Sequence, residues 1–326
     1  MGFADNNRLL NVFDLRTSFS TDAFALHAVD NISFYIKKGE IYGLVGESGC
    51  GKTITALSIM KLVPPPGEIV GGQIFFEDRD LATLSDRDME KIRGDRIGMV
   101  FQEPMTSLNP VLRVGEQIEE TLAAHKNISK EESKSRSIEL LRQVGFDKPE
   151  KKYLQYPHQL SGGQRQRILI AIAVSCNPSL VIADEPTTAL DVATENKILS
   201  LLKELVSGYG MSMLFITHNL NIIKRLGQRI GIMYAGRILE QNIVDDFFKE
   251  PLHPYSKGLL ASIFGIKGNE KRLKSIPGSV PRLSELPTGC KFHPRCSFAM
   301  PLCREEEPPI REIGNEKWVR CFLYQN

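Results

Sequence analysis

Three short stretches of this chain have the residue types and spacing for phosphate chemistry. In "GESGCGKT", Gly46 is followed by four residues and then by Gly51, Lys52 and Thr53. Glycines at 46, 49 and 51 let the backbone curl, so that the amides along Ser48 and Cys50 and a following helix N-terminus point at a phosphate. Lys52 supplies a cation and Thr53 a hydroxyl for Mg²⁺. The competing reading, a glycine-rich turn that binds nothing, is disfavoured because a strand ("IYGLV") precedes the loop and a helical pattern ("ITALSIMKL") follows it. Cys50 reads as a small filler at a variable loop position. In "LVIADEP", an apolar strand ends in Asp184, a carboxylate for Mg²⁺, and Glu185 follows, placed to polarise a water for attack on a γ-phosphate. In "LSGGQ", Ser161, Gly162, Gly163 and Gln164 open a helix, a second anion-binding terminus. One nucleotide has little use for two cradles in a single monomer.

These residues need rigid elements behind them. Nearly continuous apolar runs at "EIYGLVG", "RIGMVFQE", "SLVIADEP" and "SMLFITHN" read as buried strands, as does "GGQIFFED". Helical spacing marks residues 115–125, 132–145 and 194–210, the last ending on glycine. Strands alternating with helices predict an α/β domain with a mainly parallel sheet. "RIGIMYAGRILEQN" predicts a hairpin turning at Ala235 and Gly236.

With 326 residues and a net charge of +2, the chain has ample length for a core and no charge-based reason to bind nucleic acid. The N-terminus has no secretory pattern, and "ILIAIAV" is far too short to span a bilayer. A cytoplasmic protein is expected, one whose work at a membrane goes through partners. Beyond about residue 250 prolines crowd in and no long helix or strand pattern survives, so this tail requires a staple or a docking surface. Cys290, Cys296, Cys303 and Cys321 sit there with gaps of five, six and seventeen residues. Four thiolates suit a metal. Zinc usually takes closely spaced pairs, whereas wide gaps suit a [4Fe–4S] cluster, which is the reading adopted, with zinc or no metal as the alternatives.

The motif set resembles the nucleotide-binding subunits of ABC transporters, whose signature is LSGGQ. That resemblance implies an α/β P-loop ATPase with a RecA-like core, an antiparallel β subdomain and a helical signature subdomain at about 104–165, all within residues 1–250. It also explains the two cradles, because in the family two subunits face head to tail and share each ATP. Gln102 in "VFQEP" matches the Q-loop, "ALD" (189–191) the D-loop and His218 in "FITHN" the switch histidine; Phe24 is the candidate for stacking on adenine. By carry-over, Glu185, His218 and Gln102 are catalytic, and Thr53, Gln102 and Asp184 surround Mg²⁺.

"PLHPYSKGLLASIF", "IPGSVPRL" and "PTGCKFHPRC" resemble the C-terminal extension of ATPase subunits of dipeptide and oligopeptide importers. An irregular Cys-rich extension over 251–326 is therefore expected. Some members of that family carry a [4Fe–4S] cluster here, and all four cysteines are present. The resemblance further implies a second, homologous ATPase as partner, two transmembrane permease subunits, an extracytoplasmic peptide-binding protein and a peripheral place on the cytoplasmic face of the membrane. A nickel-importer ATPase is the near alternative. A soluble ABC ATPase acting on nucleic acid or the ribosome is the remote one.

Overall fold

The computed structural model describes residues 7–20, 25–264 and 276–325. Its strands are β1 (Arg8–Ser20), β2 (Ala25–Lys37), β3 (Ile41–Val45), β4 (Gly67–Phe76), β5 (Arg79–Asp80) and β6 (Ile97–Val100). Further along come β7 (Leu180–Asp184), β8 (Ser212–Thr217), β9 (Arg229–Tyr234), β10 (Arg237–Ile243), β11 (Ile310–Gly314) and β12 (Lys317–Arg320). Contacts divide the chain into two units. The first comprises Met1–Leu9, Ile36–Glu40 and Thr83–Phe215, the second Leu10–Tyr35, Ile41–Ala82 and Ile216–Asn326.

In the first unit, β6 lies parallel to β7 in the register Val100↔Ala183, and β8 flanks β7 on its other side. Every residue of β7, Leu-Val-Ile-Ala-Asp, is buried, the pattern of a strand covered on both faces. Each such Leu, Val or Ile contributes about 1.5–3 kcal/mol relative to exposure. Helices Val114–His125, Lys130–Gln143, Pro149–Tyr153 and Gly162–Val174 lie between β6 and β7. Their boundaries have local causes. The Ser129 hydroxyl accepts the Glu132 amide at 3.1 Å, and the Asp191 carboxylate accepts the Thr194 amide at 3.0 Å, starting helix Val192–Tyr209. That helix stops where Gly210 turns left-handed at φ 64°.

In the second unit, a four-stranded sheet runs in the order β2-β1-β4-β5, with β1 antiparallel to β4 and β4 to β5. A second array runs β11-β12-β10-β9-β3, with β3 parallel to β9 and the pairs β9–β10, β10–β12 and β11–β12 antiparallel. The β9–β10 hairpin turns at Ala235 and Gly236, as expected, both with positive φ (46° and 81°). Strand β4 differs from expectation: Gly67–Gly72 alternate between half-buried and exposed and only Ile74 and Phe76 are buried, because the strand belongs to the antiparallel sheet and not to the buried one. The tail is also more regular than its prolines suggest. It holds helix Pro254–Phe264 and the β11–β12 hairpin, which joins β10 through Glu240↔Val319 and Gln241↔Trp318.

Candidate functional site

In the second unit, β3 is wholly buried and Val45 aligns with Ile232 of β9, so the chain leaves the strand's C-terminal end directly into the glycine loop. Ligands of parallel α/β sheets gather at this end. Helix Lys52–Ile59 then begins at Gly51, whose φ of 107° is open to glycine alone; a Cβ there would strike the Ala28 carbonyl and come within 2.7 Å of Met233 Cε. No side chain caps this helix, which leaves its first-turn amides for an anion. Lys52 is buried and its Nζ donates to the carbonyls of Gly46 (2.9 Å) and Glu47 (3.1 Å). Ser48 and Gly49 are exposed and Thr53 is half-buried in the first turn. Burial pushes the Cys50 thiol up to about 11 although Lys52 pulls it down, so Cys50 is inert filler. His218 is exposed just past β8. The Asn219 amide donates to Thr217 Oγ1 at 3.0 Å, and Asn219 Oδ1 accepts the Asn221 amide at 3.0 Å at the start of helix Leu220–Leu226.

In the first unit, the β6–β7 register sets Gln102, exposed two residues past β6, beside the end of β7 where Asp184 is buried. Glu185 follows with φ 44°, half-buried, its Oε2 accepting the Thr188 hydroxyl at 2.9 Å. The signature residues form a reciprocal cap: the Gln164 amide donates to Ser161 Oγ at 3.4 Å, and the Ser161 amide donates to Gln164 Oε1 at 3.2 Å. Gly163 has no room for a Cβ, which would strike Thr194 Cγ2, and a Cβ on Gly162 would touch Leu190 at 3.9 Å. The signature turn therefore packs on the D-loop and the helix that follows it. Hydrogen bonds from the Thr194 hydroxyl, then its amide, hold the Asp191 carboxyl below the usual carboxylate range.

Phe24, the candidate for adenine stacking, lies outside the described residues.

The iron–sulfur expectation, and zinc with it, is corrected. All four tail cysteines line one narrow cavity together with His253, Phe292 and Phe298. Among the described residues, however, no group of three or more His, Cys, Asp or Glu side chains is arranged to hold a metal ion. Burial pushes the Cys290 thiol up to about 11 and raises Cys296 and Cys321 as well, with mutual repulsion among the sulfurs adding to the effect at each. Two of the sulfurs accept hydrogen bonds within the turns themselves: the Phe298 amide donates to Cys296 Sγ and the Met300 amide to Cys303 Sγ, both at 3.4 Å.

The tail instead uses the other solution open to it, a docking surface. Phe292 packs edge-on against Tyr234 and tilted against Tyr255, both at 5.3 Å, and Tyr255 meets Tyr234 at 4.8 Å. Arg295 lies over Tyr234 at 5.7 Å and reaches Glu47 in the phosphate loop. Glu47, Tyr255 and Arg295 were not singled out in the sequence, and no local signal links positions so far apart.

A glycine loop between a buried strand and a helix, with a buried lysine folded onto it, and acidic residues ending a second buried strand define a P-loop ATPase. The ABC transporter family matches residues 29–188, and the oligopeptide/dipeptide transporter C-terminal region matches residues 239–303. The oligopeptide transport ATP-binding protein AppD of Bacillus subtilis is 51% identical over 97% of this chain and 97% of its own. The dipeptide transport ATP-binding protein DppD of Haemophilus influenzae is 44% identical over 98% and 96%. A dimeric ATP-binding cassette solved in a post-hydrolysis state with ADP and Pi matches 72% of this chain and 98% of its own at 31% identity, with a TM-score of 0.65. The chain belongs to the ABC transporter family, among the ATP-binding subunits of the oligopeptide/dipeptide type.

Proposed function

We propose that this chain hydrolyses ATP to energise import of di- or oligopeptides through two membrane permease subunits. The observation that carries this reading is that a phosphate loop and an oligopeptide/dipeptide transporter C-terminal region fold into one unit. The cassette is assigned to residues 1–250 and the peptide-importer extension to 251–326. Among the described residues no helix is long and apolar enough to cross a membrane.

Within the cassette, Lys52 and the amides from Gly46 to Thr53 hold the β- and γ-phosphates. Glu185 takes the proton of the attacking water and His218 braces the γ-phosphate. Gln102 stands beside the reacting water, and Ser161 to Gln164 complete the site of a facing subunit through the helix N-terminus they open. The oxygen donors of Thr53, Gln102 and Asp184 fit Mg²⁺, a hard cation, and their assignment rests on the family's motif order. When bound, Mg²⁺ neutralises phosphate charge. The facing subunit is a second, homologous ATPase, a periplasmic or surface-anchored receptor delivers the peptide, and the chain docks on the cytoplasmic side of the permease.

Uptake by vesicles holding this chain with its permease subunits, partner ATPase and receptor tests the reading. ATP-dependent accumulation of a labelled peptide supports it; accumulation of nickel without peptide would replace peptide by nickel as the substrate.

A further inference from the structure

Glu47 is the first residue inside the phosphate loop, and three of its groups are held. Its amide donates to Tyr255 Oη at 3.1 Å, its carbonyl accepts Lys52 Nζ at 3.1 Å, and its carboxylate takes Arg295 Nη1 on both oxygens, at 3.2 and 3.1 Å. Arg295 is itself fixed. Its Nε donates to the Pro277 carbonyl at 2.8 Å, its Nη2 to the Gly278 carbonyl at 3.3 Å, and its side chain is only 7% exposed. A nearly buried guanidinium whose Nη1 is shared by the two carboxylate oxygens contributes more than an exposed ion pair, and its geometry is set by the tail and not by solvent.

The chemistry poses a problem that this contact solves. A carboxylate at the mouth of a phosphate cradle repels the triphosphate the cradle must bind. The loop contributes Lys52 as its cation, and Lys52 is already turned to the loop carbonyls. Resting on the assignment of this loop to ATP, the geometry points to Arg295 as a positioning residue of the nucleotide site: from the C-terminal extension it neutralises Glu47 and fixes the loop for phosphate. The extension is thereby part of the ATP site's electrostatics, and any partner that lifts the turn at His293–Arg295 weakens nucleotide binding by releasing the Glu47 charge.

The test is equilibrium binding of ATP and of ADP to the full chain, with thermal unfolding as a control on folding. Arg295→Gln is expected to weaken ATP about fivefold, the scale of one partly exposed charge acting over several ångströms, and ADP less, since ADP carries less charge. Adding Glu47→Gln to that variant restores ATP affinity, because the repelling group is gone. Glu47→Gln alone, which leaves the tail's own contacts in place, tightens ATP and gives a reading even if Arg295→Gln fails to fold. Unchanged ATP affinity in a folded Arg295→Gln variant, equal loss for ATP and ADP, a double variant as weak as the single, or weaker ATP binding in Glu47→Gln would each overturn the proposal. Failure of the unaltered chain to bind ATP would instead remove the assignment of the loop.

Discussion

Lys52 Nζ lies 2.9 Å from the carbonyl oxygen of Gly46, so the loop's cation is held by the loop it serves. An arriving phosphate exchanges a carbonyl dipole for a full negative charge, which is a favourable trade for a buried ammonium. Lys52→Met keeps the stem's apolar contacts and removes the charge. ATP hydrolysis is expected to fall by about a hundredfold or more while the thermal midpoint stays near that of the unaltered chain. A steady-state ATPase assay beside a melting curve checks this; a variant with near-normal turnover would take Lys52 out of the phosphate site.

Glu185 stands at φ 44° just past a buried strand, with Thr188 donating to one carboxylate oxygen. One oxygen is oriented, as a general base requires. Glu185→Gln preserves size and the acceptor but cannot take a proton. It is expected to bind ATP at near-normal affinity and to hydrolyse it about 10²- to 10⁴-fold more slowly. Filter binding and single-turnover hydrolysis separate the two effects.

The parts readable in the sequence are those whose chemistry is local. A loop such as Gly46–Thr53, a strand such as Leu180–Asp184 and a cap such as Ser161–Gln164 each fit within a dozen residues, and period and residue type suffice to find them. What escaped is long-range. The β11–β12 hairpin has too few residues for a pattern and is held by Gln241 and Glu240 of β10, some eighty positions earlier. The grip of Arg295 on Glu47 spans 248 positions. The cysteines misled for the same reason: their count and spacing are visible in sequence, whereas the aromatic bed of Tyr234, Tyr255 and Phe292 on which the tail packs is assembled only in three dimensions.

The signature cap separates a structural from a catalytic role at one residue. Ser161→Ala removes the acceptor for the Gln164 amide and is expected to cost about 1 kcal/mol of stability. Ser161→Asn keeps a good cap and hence most of that stability. If Ser161 also completes a facing subunit's ATP site, both variants lose ATPase activity in the assembled transporter while only Ser161→Ala melts early. Full activity in Ser161→Asn would confine the hydroxyl to capping.

The docking of the tail carries a pH signature. His253 is fully buried, its Nδ1 accepting the Tyr255 amide at 3.0 Å and its ring 5.7 Å from Phe292. Burial, aided by the Lys257 charge, pushes the imidazole down to about 3, so it is neutral in the fold and protonates more readily when unfolded. Its contribution is complete above pH 6.5 and is lost as pH falls from there toward 3. Glu240, which accepts the Leu252 and His253 amides, acts in the opposite sense: burial raises its carboxyl, so its contribution is present at acid pH and lost as pH rises through the folded value. Trp318, the chain's single tryptophan, is buried in the β12 strand that pairs with β10 and reports on the same region. Urea unfolding followed by Trp318 fluorescence is expected to lose up to about 1.4 kcal/mol per pH unit between pH 6 and 4.5 from His253, beyond what Glu240 offsets. His253→Gln, which keeps an acceptor but cannot charge, removes that slope. An unaltered slope in this variant would place the acid sensitivity elsewhere and take His253 out of the account of how the tail is held.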